Sequence, residues 1–259
     1  MAPIDRLRAI MARLRDPQNG CEWDLAQSFT TIAPYTLEEA YEVADAIERN
    51  DLPSLQEELG DLLLQVVFHS RMAEEAGHFD FDAVAATISA KMEARHPHIF
   101  GGAADQGQSR EERWESLNAE EREAKGATSA MDGVALALPA LLRAEKLQKR
   151  AARQGFDWTD VNGPADKLRE EMTELATADT DQDRFEEAGD LLFAAVNLVR
   201  AYGIAPEEAL RAGNAKFERR FRGMEAQARE HGVDFSSLSL DQQEALWSAV
   251  KQSETDKTP

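Results

Sequence analysis

Apolar residues recur three and four positions apart along almost the whole chain, and no stretch alternates apolar with polar as a half-buried strand does. The pattern predicts an all-α fold. Helices are expected over about 4–15, 34–49, 53–76, 81–95, 109–124, 138–153, 163–178, 182–202, 206–230 and 239–252. Thr36 with Glu39, and Ser54 with Glu57, have the spacing of a capping box, in which each side chain bonds the other's backbone N–H. Gly77 and Gly203 are placed to stop a helix, and Pro206 suits a first turn, where its missing N–H has no partner to lose.

Polar residues interrupt this pattern twice, in the same way. In "LREEMTELATADTDQDRFEEAGDLLF", Glu170, Glu171, Glu174, Glu187 and Asp190 stand in a stretch otherwise patterned as buried helix. "LEEAYEVADAIERNDLPSLQEELGDLLLQ" repeats the arrangement with Glu38, Glu39, Glu42, Glu58 and Asp61. Further matches keep the same order: "EELGDLLLQVVF" with "EEAGDLLFAAVN", "AKMEARH" with "AKFERRF", and upstream "CEWD" loosely with "FDWT". Ordered self-similarity of this kind indicates a duplicated unit. Each unit contains a helical hairpin whose second helix, 58–68 or 187–199, is apolar around much of its circumference. A hairpin alone cannot cover that surface, so four-helix-bundle-like domains and a homodimer are expected. Between about 101 and 136 the text turns rich in Gly, Ser, Gln and charge, which sets an N-terminal unit at 1–100, a linker at 101–136 and a C-terminal unit at 137–259.

Helix neighbours lie three and four residues apart, so Glu39 shares a face with Glu42, and Glu58 with Asp61. Glu171 with Glu174 and Glu187 with Asp190 do the same in the second unit. If each hairpin closes with these faces together, four carboxylates converge at the edge of an apolar core. Like charges so placed repel, and burial strengthens the repulsion, so a cation is expected among them. Oxygen ligands without thiolate suit Mg²⁺, with Mn²⁺ as a substitute, and Mg²⁺ commonly shares its shell with substrate phosphates. A lone pair of this kind is ordinarily a solvated helix face; the duplication of the whole set raises it above that. Downstream, "GNAKFERRFRGM" sets Lys216 and Arg220 four apart, with Asn214 and Arg219 nearby, as cations for a polyphosphate. No Walker sequence and no GxGxxG occurs, so metal and basic side chains have to hold any nucleotide.

Composition narrows the classes. Of 259 residues, 49 are Asp or Glu against 29 Lys or Arg; the net charge of −20 repels a DNA or RNA backbone, so no polymeric nucleic acid is expected as a partner. Cys21 is the single cysteine, which excludes an intramolecular disulfide and a multi-cysteine zinc site. The start "MAPIDRLRAIMARLRD" lacks the apolar centre of a secretory signal and "LLLQVVF" is too short to span a bilayer, so a cytoplasmic protein without membrane contact is expected. His96 and His98 are read as turn or core residues, and Trp23, Trp114 and Trp158 as packing residues.

"RLRAIMARLRDPQNGCEWD", "FTTIAPYTLEEAYEVADAI", "EELGDLLLQVVFHS", "RHPHIF", "GFDW" and "NAKFERRF" together resemble the MazG nucleoside triphosphate pyrophosphohydrolases over nearly the whole chain. The resemblance implies the all-α NTP pyrophosphatase fold, a dimer of two-unit chains, and Mg²⁺-dependent hydrolysis of nucleoside triphosphates to monophosphate and pyrophosphate by the C-terminal unit. Carried over by motif, it implies Mg²⁺ on Glu171, Glu174, Glu187 and Asp190, with Glu39, Glu42, Glu58 and Asp61 as a possible second site. It further implies triphosphate contacts from Lys216 and Arg220 and base stacking on Trp247. One departure is Asn118, where the linker of some relatives carries a substrate-contacting lysine. The reading is broad-specificity nucleotide-pool cleaning, with Glu170 or Glu171 as the base. The alternatives are a dedicated dUTP or phosphoribosyl-nucleotide pyrophosphohydrolase, action on the alarmone ppGpp, and a non-enzymatic acidic helical scaffold.

Overall fold

The computed structural model describes residues 1–101, 117, 119, 124 and 126–255; among them the regular structure is helical throughout, with no strand. The chain divides into two compact units, Met1–Leu117 and Asn118–Pro259. The helix expected over 109–124 falls almost wholly outside the described residues, as do Trp114 and Asn118. Among the described residues no single helix is long and apolar enough to cross a membrane.

The first unit contains α1 (Pro3–Leu14), α2 (Glu22–Leu25), α3 (Phe29–Glu48), α4 (Leu52–Glu75), α5 (Phe81–Arg95) and α6 (Pro97–Phe100). α3 and α4 form the hairpin, and α1 and α5 pack on α4. Asn50 turns the chain between them with φ 54°, a left-handed conformation that asparagine tolerates better than most residues. Spacing then builds the core: Leu64, Val67, Phe68 and Met72 share one face of α4 and meet Met11 of α1 and Ile32 of α3. Buried Arg15 locks this end of the unit, pairing with Glu75 at 2.7 Å, donating to the Asp24 carbonyl, and lying over the Phe68 ring.

The second unit contains α7 (Ala140–Arg153), α8 (Asn162–Thr177), α9 (Asp181–Ala201), α10 (Pro206–Glu230), a 3₁₀ turn (Phe235–Ser237) and α11 (Leu240–Thr255). α8 and α9 form its hairpin, α7 lies against α9 and α10, and α11 lies along α10. Thr180 and Asp183 make a reciprocal capping box that starts α9.

Two expected caps are not caps. α3 begins at Phe29, because Ser28 and Thr31 cap it reciprocally five residues before the expected start, and Pro34 lies inside the helix. Thr36 is therefore mid-helix, its hydroxyl near the Ile32 carbonyl and 3.1 Å from His69 Nε2. α4 is capped by Asp51, whose side chain accepts from Ser54 N–H, so Ser54 and Glu57 are both inside the helix. The Ser/Thr-x-x-Glu spacing recurs within helices, and only the true first turn has N–H groups left to satisfy. Gly77 and Gly203 do end their helices, with φ of 73° and 74°, and Pro206 opens α10.

Candidate active site

The α8–α9 hairpin places the apolar edge of one helix on the other, and the carboxylates at that edge follow. Oxygens of Glu171, Glu187 and Asp190 lie within 4.8 Å of one another. Glu171 is 3% exposed, and its Oε2 has no hydrogen-bond partner. A buried carboxylate oxygen without a donor is disfavoured by the lost hydration, so the arrangement fits a divalent cation. Burial, then Glu174, Glu171 and Asp190, push the Glu187 carboxyl above the usual range. One cation of the chain is already close: Lys167 Nζ is 2.7 Å from both Glu170 and Glu171, and these bonds, Glu170 first, hold its ammonium above its usual range.

The first unit repeats the geometry. Oxygens of Glu39, Glu58 and Asp61 also lie within 4.8 Å of one another. The Glu39 carboxyl is raised by burial, then by Asp61, Glu42 and Glu58; that of Glu58 is raised by burial, then by Glu42 and Asp61. Glu42 and Glu174 fall outside the tight groups, one helical turn further along, yet near enough for their charge to act on Glu58 and Glu187. Where the second unit has Lys167, four residues before its buried glutamate, the first has Tyr35.

A cavity of about 610 Å³ opens beside the second cluster, with Lys167, Glu171 and Asp190 in its wall. The basic residues of α10 do not line it. Asn214, Lys216 and Arg219 are exposed, and Arg219 and Arg220 both donate to Glu254 of α11, at 2.9 and 2.8 Å. Trp247 packs on Phe217, with ring centroids 5.6 Å apart, and the Arg220 guanidinium lies over its indole.

Sequence reasoning missed Lys167, Gln148, Trp158, Asn197 and Arg200, all of which line the cavity. Lys167 carried a signal, being four residues from Glu171 on one helix face. Trp158 packs as expected, yet it is 47% exposed and also forms part of the cavity wall. Its indole lies over the first turn of α8, where a Cβ on Gly163 would sit 1.9 Å from Trp158 Cδ1. Trp23 is likewise half exposed, edge-on to Tyr35. His96 ends α5 with its Nδ1 2.8 Å from the Met92 carbonyl oxygen, the turn role expected of it.

Residues 27–100 match the family model described as MazG nucleotide pyrophosphohydrolase domain. Over 99% of its length the chain is 51% identical to the whole of the nucleoside triphosphate pyrophosphohydrolase of Escherichia coli K12. The chain belongs to the MazG family. Other members are similar over most of their length: a nucleoside triphosphate pyrophosphohydrolase/pyrophosphatase MazG of Thermotoga maritima at 39% identity (96% of this chain, 95% of that one), and a nucleoside triphosphate pyrophosphohydrolase of Mycolicibacterium smegmatis at 30% (99% and 74%). Within this MazG-family chain, residues 140–216 match a second model, described as Phosphoribosyl-ATP pyrophosphohydrolase. Each matched span contains one carboxylate hairpin.

Proposed function

We propose that the second unit hydrolyses nucleoside triphosphates to monophosphate and pyrophosphate with Mg²⁺ held by Glu171, Glu187 and Asp190, and with Glu174 adjoining. The observation that carries this is the unpartnered, buried Glu171 Oε2 among carboxylates from two helices. An all-oxygen set suits Mg²⁺ or Mn²⁺. When bound, such an ion supplies Lewis acidity and a water of lowered pKa. Lys167 orients the γ- or β-phosphate from the cavity wall, since its ammonium already lies against Glu170 and Glu171. Glu170, exposed and hydrogen-bonded to Lys167, takes the proton of the attacking water. Lys216 and Arg220, with Asn214 and Arg219, meet the leaving pyrophosphate in a homodimer. Support for the dimer comes from unburied apolar stripes: Leu59, Leu63 and Val66 follow one face of α4, and Phe185 and Leu192 follow one face of α9. The net charge of −20 favours a small nucleotide over a polymer as substrate.

A second reading, hydrolysis confined to phosphoribosyl-ATP, is favoured by the family model matched over 140–216. One experiment separates them. With Mg²⁺, the protein is expected to release pyrophosphate, and no orthophosphate, from ATP, GTP, CTP and UTP alike, and to stop when EDTA is added. Turnover of phosphoribosyl-ATP alone would establish the narrow reading, and orthophosphate release or EDTA-resistant turnover would overturn both.

The raised Glu187, Glu39 and Glu58 carboxyls fix how pH acts on metal binding. A carboxyl raised in the folded state favours folding while protonated and loses that contribution as pH rises through its folded value. Mg²⁺ competes with those protons, so its effect grows in the same direction. At neutral pH, Mg²⁺ at about 100 times its Kd is expected to stabilise the fold by roughly 2.7 kcal/mol, a shift of several degrees in Tm. That shift is expected to fade as pH falls to the ordinary glutamate value of 4.5. Melting curves with and without Mg²⁺ across this range check it.

A further inference from the structure

Resting on the reading that the α10 cations meet the phosphates, we propose that Glu254 is a built-in competitor for that site: its carboxylate holds Arg219 and Arg220, and a polyphosphate has to displace it. Arg219 Nε donates to Glu254 Oε1 at 2.9 Å and Arg220 Nε to Oε2 at 2.8 Å, so one carboxylate spans two consecutive guanidinia. Carboxylate and phosphate suit the same planar fork, because both offer it paired oxygens. A surface ion pair carries little by itself. Three features set this one apart.

Position is the first. Glu254 stands in the last turn of α11, where carbonyl groups without helical partners gather negative charge and a cation is the favoured residue. That turn has no basic residue. Its own helix therefore disfavours the carboxylate, and the arginines of α10 are what hold it. Those guanidinia, Arg220 before Arg219, draw the Glu254 carboxyl below its usual range, so it is charged at neutral pH.

Depth is the second. The Arg220 side chain is 17% exposed, and its guanidinium lies over the indole of Trp247, seven residues before Glu254 on the same face of α11. The ring keeps water from one side of the cation, which strengthens its hold on an anion. Ring and carboxylate both reach α10 because the helices come close: Val250 is buried, and a Cβ on Gly223 would sit 3.1 Å from its Cγ1. Capacity is the third. Glu254 takes the Nε of each guanidinium, whereas one phosphate can accept two N–H groups from a single fork and carries more charge. A polyphosphate thus gains more from the two arginines than Glu254 does, and a simple carboxylate or chloride does not. The contact keeps these cations closed to ordinary anions and yields to the substrate.

Glu254→Gln keeps the shape of the side chain and removes its charge. KM for ATP is expected to fall by about threefold to tenfold, and inhibition by pyrophosphate to tighten by a similar factor, with kcat unchanged or lowered as pyrophosphate leaves more slowly. In wild-type protein, saturating pyrophosphate with Mg²⁺ is expected to speed amide hydrogen exchange over residues 251–255, whose anchor it releases. A contact that only pins α11 behaves otherwise: Glu254→Gln then lowers Tm and leaves KM unchanged or raised, and that result overturns the proposal. So does exchange over 251–255 that pyrophosphate leaves unchanged or slows. Arg220→Gln separates the two levels of the argument. If it raises KM while Glu254→Gln fails to lower it, the competitor falls and the phosphate role of α10 stands; if Arg220→Gln leaves KM unchanged, both fall.

Discussion

Replacing Glu187 with glutamine is expected to lower kcat/KM for nucleoside triphosphates by about 10²-fold or more, while the fold persists. The substitution keeps shape and removes one negative charge from a group of three carboxylates. An amide ligates Mg²⁺ weakly, and even the loss of residues that only orient metal ligands costs about 10–100-fold. Stability moves the other way. Glu187 is partly buried beside Glu174, Glu171 and Asp190, and burial first, then the charge of those neighbours, raises its carboxyl, so the metal-free variant is expected to melt no lower than the parent at neutral pH. Loss of activity with an unchanged or raised Tm separates a chemical role from a structural one. The matching change in the first unit, Glu58→Gln, is expected to alter Mg²⁺ binding and leave turnover near the parental level. Steady-state pyrophosphate release from the two variants is the measurement; full activity in Glu187→Gln removes the second-unit site.

Truncating Phe68 to alanine is expected to destabilise the first unit by about 3–5 kcal/mol. Phe68 is 4% exposed, packs with Met11, Ile32, Val67 and Met72, and has the Arg15 guanidinium over its ring. Removing the ring leaves a cavity among three helices and strips a buried cation of its aromatic surface. A loss of this size corresponds to roughly 10 °C or more in the unit's Tm. Differential scanning calorimetry checks it; a drop under about 1 kcal/mol shows that the core relaxes around the gap and that the α1–α4 packing is not what holds the unit.

These two sites differ in how legible they were. Helices α4, α5 and α7 to α10 begin and end within about two residues of where periodicity put them, because their apolar faces must be buried whatever the neighbours are. The start of α3 was missed. Thr36 and Glu39 have the spacing of a cap, and nothing in the spacing of Ser28 and Thr31 distinguishes a real cap from the same residues inside a helix. The carboxylates could be paired by sequence along each helix, since positions three and four apart share a face. Which of them meet across the hairpin depends on its register, and the register selects Glu171, Glu187 and Asp190 while leaving Glu174 a turn away.

Residues of the cavity wall had no such signature. Gln148 and Asn197 are isolated amides on two helices 49 positions apart, and Trp158 belongs to the turn before α8; no periodicity relates them. Amino-acid order alone therefore determined the all-helical class, the duplication, the acidic pairs and the family, all of which rest on local spacing or on recurrence. Tertiary packing alone decided which carboxylate oxygen is buried without a donor, and that a half-open aromatic cavity stands behind the cluster. Those are properties of surfaces brought together from distant parts of the chain, and a one-dimensional pattern carries no record of the distance between them.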